Sequence, residues 1–155
     1  ICCLLSAMTD IPLRQDLAMT GAIDQMGHVL AVGAVNEKIE GFFDVCRDIG
    51  SSSTQGVIIP RTNAGDLMLR EDVVEACAAG TFHVYAVATV HEALGLLTGM
   101  PIGTRDASGR YCGSGTVLGE AVARAREYWV RAARLSRSTR GLARKQHTTR
   151  ASARA

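Results

Sequence analysis

The 155-residue sequence contains no Cys-x-x-Cys pair, and its five cysteines (Cys2, Cys3, Cys46, Cys77, Cys112) are odd in number and unevenly spread. That argues against a disulfide framework and against a zinc site, and it fits a reducing cytoplasm. Most of these cysteines are expected to serve as buried small hydrophobes. No apolar run approaches the roughly 18–20 residues of a membrane-spanning helix, so a transmembrane chain is excluded. The sequence also opens without a methionine or a basic leader. Ile1-Cys2-Cys3-Leu4-Leu5-Ser6-Ala7-Met8 starts at full apolar density, so the chain is expected to begin inside a helix of a longer polypeptide rather than with a secretion signal. What is present is a hydrophobic fraction of 47% against 21% charged residues, enough to bury a core and to exclude disorder throughout.

Charge is distributed unevenly. Residues 1–123 carry 7 Lys+Arg against 14 Asp+Glu, whereas residues 124–155 carry 10 basic residues against the single Glu127. Clustered Lys and Arg can neutralise phosphates, which would suit a nucleic-acid or anionic-surface arm. A solvated C-terminal helix that frays into a disordered end is the plainer reading and is favoured. Beyond Tyr128 and Trp129 the segment offers no aromatics for base stacking, and no nucleic-acid-binding motif is present. After Arg137 the composition reads as low-complexity and disordered.

The pattern along the chain alternates short helices and strands. Residues 1–8 read as the last turns of a buried helix, stopped by Asp10 and Pro12. Runs 17–20 and 28–32, with a turn at Gly27, read as the two strands of a hairpin. A helix is expected from Asn36, with Ile39, Phe42, Phe43 and Cys46 on its buried face. Gly56-Val57-Ile58-Ile59-Pro60 reads as a strand buried on both faces. Residues 66–69 are ambiguous. Residues 71–79 suggest a helix, 82–87 a strand, and Thr89-Val90-His91-Glu92 a capping box that opens another helix. That order suggests an α/β or α+β sandwich. Residues 103–115 read as a polar linker and 117–136 as a separate amphipathic helix.

Few residues look chemical. His28, His83, His91 and His147 share no metal-ligand spacing, so no metal site is expected. Gly113-Ser114-Gly115 lacks the strand and helix that a nucleophile turn needs and reads as a flexible loop. Lys38 is different, because it falls in the first turn of a helix, where the dipole disfavours an ammonium. Partial desolvation would add to that effect, which is how a lysine becomes a general base. By periodicity alone, an exposed lysine is the plainer alternative.

Read together, the motifs have a family look. Pro12-Leu13-Arg14-Gln15-Asp16-Leu17-Ala18-Met19-Thr20-Gly21, then Gly27-His28-Val29-Leu30-Ala31-Val32-Gly33-Ala34-Val35-Asn36-Glu37-Lys38-Ile39-Glu40, resemble the proteolytic domain of Lon proteases. Gly41-Phe42-Phe43-Asp44-Val45-Cys46-Arg47, Gln55-Gly56-Val57-Ile58-Ile59-Pro60 and Leu69-Arg70-Glu71-Asp72-Val73-Val74 are similar to a bacterial Lon-like branch in particular. The resemblance covers about residues 1–100 and continues more weakly to roughly 135.

The resemblance implies an ATP-dependent serine endopeptidase with a Ser–Lys dyad. Lys38 matches the family's catalytic lysine, and Thr20 matches the threonine that orients it, although an ordinary strand-end hydroxyl is the alternative for Thr20. The family's nucleophilic serine would fall shortly before Ile1, so none is expected in this chain. Ser6, within the apolar run, reads as a buried helix residue. Ala34 stands where a second glycine is common. The upstream ATPase module, with the ATP and magnesium it would use, is absent too, since no Gly-x-x-x-x-Gly-Lys-Ser/Thr loop is present.

The expected architecture is therefore α+β. Residues 1–100 would form the C-terminal portion of a ribosomal-protein-like α/β sandwich, truncated at its N-terminus. Residues 101–136 would form a linker and C-terminal helix, and 137–155 a basic, disordered tail. By the same resemblance, the parent protein would be cytoplasmic, act on protein substrates and assemble as a homo-oligomeric ring, typically a hexamer, while this fragment alone would be inactive. Two rivals stand beside this reading: a non-enzymatic Lon-fold assembly domain, and a nucleic-acid-binding module working through the basic tail.

Overall fold

A computed structural model describes residues 1–50 and 52–152, with side chains described as far as Leu135. The chain order begins with helix α1 (Cys2–Thr9), strands β1 (Leu17–Met19), β2 (Ala22–Ile23) and β3 (Val29–Leu30), and helix α2 (Val35–Ile49). Strand β4 (Gly56–Pro60) leads through a 3-10 turn (Arg61–Asp66) to α3 (Glu71–Ala78) and β5 (His83–Val87). Helix α4 (Val90–Thr98), strands β6 (Thr104–Arg105) and β7 (Tyr111–Cys112), and helix α5 (Val117–Ser152) complete it. The mixture of helix and strand is consistent with an α+β protein.

The central sheet has three parallel strands in the order β1-β4-β5. All five residues of β4 are buried, as expected of a strand flanked by two neighbours and covered on both faces. Because side chains alternate across a strand, Ile58 joins Leu17, Val87, Ala93, Leu94 and Leu97 on the face covered by α1 and α4. Val57 and Ile59 point the other way, into a second cluster with Val35, Ile39, Val73 and Phe82 beneath α2 and α3. Phe43 packs edge-on against Phe82 at 5.1 Å between ring centroids. At the start of β4, a side chain on Gly56 would come within 2.5 Å of the His83 carbonyl oxygen, so only glycine lets β4 and β5 approach this closely.

Several sequence expectations need correction. Leu17–Met19 is not half of a hairpin with residues 28–32, because it pairs in parallel with β4. The hairpin is β2 with β3, turned at Gly27. Helix α1 is buried on one side only: Cys2 is enclosed, while Leu4 is 70% exposed. A short helix lying on one face of a sheet leaves its outer side uncovered. Ser6 is half-buried rather than buried, and its hydroxyl donates to the Ile11 carbonyl. Of the five cysteines only Cys2 and Cys46 are buried, whereas Cys3 and Cys112 are exposed.

The capping box is also only half as expected. Glu92 N–H donates to the Thr89 hydroxyl, but the Glu92 carboxylate accepts from Ala88 N–H, one residue before the cap, and from Arg61. Residues 103–115 are not merely a linker, since β6 and β7 form a small hairpin around an Asp106 turn. Helix α5 is not separate from the body either: Val117 and Ala121 are buried, and Arg124 pairs with Asp10 beyond the end of α1. Its backbone runs helical to Ser152, through the segment whose composition predicts disorder. Residues 153–155 lie outside the described residues.

Candidate functional site

Thr20 follows directly on β1 and extends its ladder, donating its backbone N–H to the Ile58 carbonyl at 3.0 Å. It lines an apolar cleft of about 140 Å³ formed by residues 19–23, Val29, Val87, Val90, Ala93 and, from the start of α1, Ile1. Among these lining residues Thr20 alone has a polar side chain. Thr20 is half-buried at the wall, and its hydroxyl could meet a polar group that enters an otherwise apolar space.

Lys38 lies at the start of α2 and donates its backbone N–H to Ala34. Helix α2 opens one residue earlier than Asn36, and Ala34 caps it in the left-handed region at φ 57° and ψ 38°. That conformation is costly for alanine, which gives a physical reason for a glycine to be common there. The Lys38 ammonium is exposed and bends back to donate to the Gly33 carbonyl at 3.0 Å. Lys38 does not line the cleft, and among the described residues no hydrogen bond joins it to Thr20. The two residues are carried by different elements. Thr20 is carried by the parallel sheet, and Lys38 by the helix that follows the hairpin.

The segment after β4 locks the lysine-bearing turn in place. Buried Asn63 accepts from Val32 N–H at 3.0 Å and donates to the Val32 carbonyl at 3.2 Å. In the opposite direction, Asn36 donates to the Asp66 carbonyl and accepts from Met68 N–H, while Glu40 accepts from Arg70 N–H at 2.9 Å. The Arg70 guanidinium then grips Asp44, at 2.7 and 2.9 Å, and Asp72. Its hydrogen bonds to Asp44 first, and then to Asp72, hold the guanidinium firmly in its charged form. Sequence reasoning missed this arrangement, because carboxamides and carboxylates meeting backbone about 30 residues away leave no periodic signal.

The remaining candidates have local roles. His28 Nδ1 pairs with Asp24, His83 Nε2 with the Ser53 carbonyl, and His91 Nε2 with the Tyr111 hydroxyl. The side chain of His147 lies outside the described residues. Among the described residues, no three His, Cys, Asp or Glu side chains gather into a possible metal site. No described helix is long and apolar enough to cross a membrane. The 155 residues contain no Gly-x-x-x-x-Gly-Lys-Ser/Thr loop.

The profile of the Lon protease (S16) C-terminal proteolytic domain matches residues 1–98. The chain belongs to the Lon protease family. A putative Lon protease homolog of Haemophilus influenzae is 49% identical over 98 residues, covering 63% of this chain and 16% of that protein. A putative Lon protease homolog of Escherichia coli is 45% identical over 97 residues, covering 63% of this chain and 17% of its own. An archaeal Lon protease of Methanocaldococcus jannaschii is 44% identical over 70 residues, covering 45% of this chain and 10% of its own. The chain thus spans about a sixth of the length of the first two relatives. Thr20, Lys38 and Asn63 all fall inside the matched Lon region.

Proposed function

We propose that this chain is the C-terminal portion of the proteolytic domain of an ATP-dependent serine endopeptidase, with Lys38 as general base and Thr20 as the residue that orients it. The nucleophilic serine and the ATPase module belong to residues upstream of Ile1. The observation that carries this reading is the cleft shared by Ile1 and Thr20. A segment entering α1 through Ile1 would deliver its side chains beside the hydroxyl that is to orient the base. The sixfold greater length of the relatives supports the same division.

In the proposed reaction the Lys38 ammonium leaves Gly33 on its flexible four-carbon stem and gives a proton to solvent, and the neutral amine then accepts the serine proton as the serine oxygen attacks the peptide carbonyl. The tetrahedral intermediate collapses, and the Lys38 ammonium passes its proton to the departing amine, leaving an acyl-enzyme that water hydrolyses. Thr20 would accept a hydrogen bond from the ammonium as the charge forms. The ribosomal-protein-like sandwich, hexameric ring, protein substrates and cytoplasmic location implied by family resemblance belong to this proposal for the parent protein. So does its use of ATP and magnesium.

The test compares residues 1–155 with a polypeptide that adds the upstream serine segment. The shorter chain should stay unlabelled by a fluorophosphonate, and the longer one should label and hydrolyse an unstructured peptide. Lys38→Ala should abolish both gains. Peptidase activity that survives this substitution would remove Lys38 from the mechanism, and labelling of the 155-residue chain would place the nucleophile within it.

A further inference from the structure

We infer that Asn63 is a positioning residue for the Lys38 base, acting through the backbone of Val32; this rests on the proposed role of Lys38. Val32 lies between the end of β3 and the start of α2, outside any strand or helix ladder. The Asn63 carboxamide supplies what such a ladder would, accepting from Val32 N–H at 3.0 Å and donating to its carbonyl at 3.2 Å. Only one planar group with a donor and an acceptor side by side can serve both. At 6% exposure, water does not replace either bond cheaply.

The two residues after Val32 make the latch more than a fastening. Gly33 offers the carbonyl on which the Lys38 ammonium rests, and Ala34 holds its left-handed cap. An alanine in that region persists only where its surroundings impose it. Asn63 imposes it from a fixed base, because its 3-10 turn leaves directly from Pro60 at the fully buried end of β4. The latch thus ties the lysine's turn to the central strand that also receives Thr20 N–H through Ile58. Base and orienting hydroxyl are registered on the same strand, one through a carboxamide and the other through a ladder hydrogen bond.

The experiment uses the full-length protease, with rates expressed per active site titrated by a fluorophosphonate so that misfolded molecules are not counted. Asn63→Ala should lower kcat about 10- to 100-fold, since small misplacements of a catalytic group have effects of this order. KM should stay within about twofold, because the latch does not touch the cleft. The acid-side limb of the kcat/KM profile, which reports the free enzyme's base, should move. Asn63→Asp keeps the acceptor for Val32 N–H and loses the donor, so its kcat should fall between that of the parent and that of Asn63→Ala. It also provides the reading if the alanine variant does not fold. A kcat per titrated site within about twofold of the parent, with an unmoved limb, overturns the inference whatever happens to Tm. Lys38→Ala, run in parallel, separates the two ideas. If it is inactive while the Asn63 variants match the parent, the latch alone fails; if it stays active, the base assignment falls and takes the latch with it.

Discussion

The Lys38 ammonium lies 3.0 Å from the carbonyl of Gly33, five residues earlier in the chain. An amine held by its own helix-entry turn is in a resting arrangement, since it lies outside the cleft that Thr20 lines and must swing away from Gly33 to reach a hydroxyl there. Lys38→Arg keeps a donor for Gly33 but cannot deprotonate near neutral pH. Peptide hydrolysis by the full-length protease should fall about 10²- to 10⁴-fold, with thermal stability nearly unchanged. A variant that retains a tenth or more of the parent rate would sink the base role.

Ala34 sits at φ 57°, where its Cβ crowds the following carbonyl at a cost of roughly 1–2 kcal/mol. Ala34→Gly relieves that strain and returns part of the gain as unfolded-state entropy. The net expectation is a stabilisation of about 0.5–1 kcal/mol in urea unfolding at neutral pH. A loss of stability would show that the alanine methyl makes a packing contribution larger than its strain.

Gly56→Ala has the opposite sign. Its methyl would meet the His83 carbonyl at 2.5 Å, and neither backbone can yield without parting β4 from β5. Overpacking of this kind costs about 1–3 kcal/mol. Unfolding at unchanged midpoint would mean that the two strands can separate freely at this end.

Asp16 gives the fold a predictable acid response. The Arg14 guanidinium, with the Thr54 hydroxyl as a lesser contributor, holds its carboxyl down to about 2. Because the folded value lies below the unfolded one, the unfolded chain binds more protons between them. Stability from this pair is therefore complete above about pH 5 and is lost as pH falls toward 2. The side chains are 38% and 25% exposed, so solvent screening limits the effect to roughly 0.5–1 kcal/mol. Urea unfolding at pH 7 and pH 3 should show a smaller pH difference for Asp16→Asn than for the parent. An identical difference would assign acid sensitivity to other groups.

Local patterns were legible where local physics decides the structure. Gly56 and Pro60 bracket an apolar run that can only be an interior strand, and the spacing from Ile39 to Cys46 shows the inner face of α2. Pairing partners were harder to read. Residues 17–19 and 28–32 have the look of neighbouring hairpin strands, yet β1 finds its partner almost 40 residues later, because a parallel neighbour leaves no turn to advertise it. The β6–β7 hairpin was hidden by the opposite problem: two-residue strands are too short to show alternation, and an Asp106 side chain, rather than a hydrophobic pattern, holds the turn together.

The proposed pairing of Lys38 with Thr20 rests on family resemblance alone. Their separation on a helix and a sheet, and the hydrogen bonds of Asn63 to the Val32 backbone, depend on tertiary placement. The same limit explains α1. Its sequence is apolar on every side, but nothing in those eight residues says how many faces will find cover.

Strand β4 is joined on one edge by residues 17–19 and on the other by residues 83–87, so the middle of the sheet is made after its first strand and before its last. During synthesis β1 must wait for the chain to reach Ile58; the layer beneath α2 and α3 cannot close before Phe82 has emerged, nor the one beneath α1 and α4 before Leu97. Contacts over such separations form slowly, and the unpaired edges of an incomplete sheet invite association with other chains. A ribosome pausing within residues 61–82 would hold a nascent chain with β4 open along one side, the stage at which a chaperone has the most to cover.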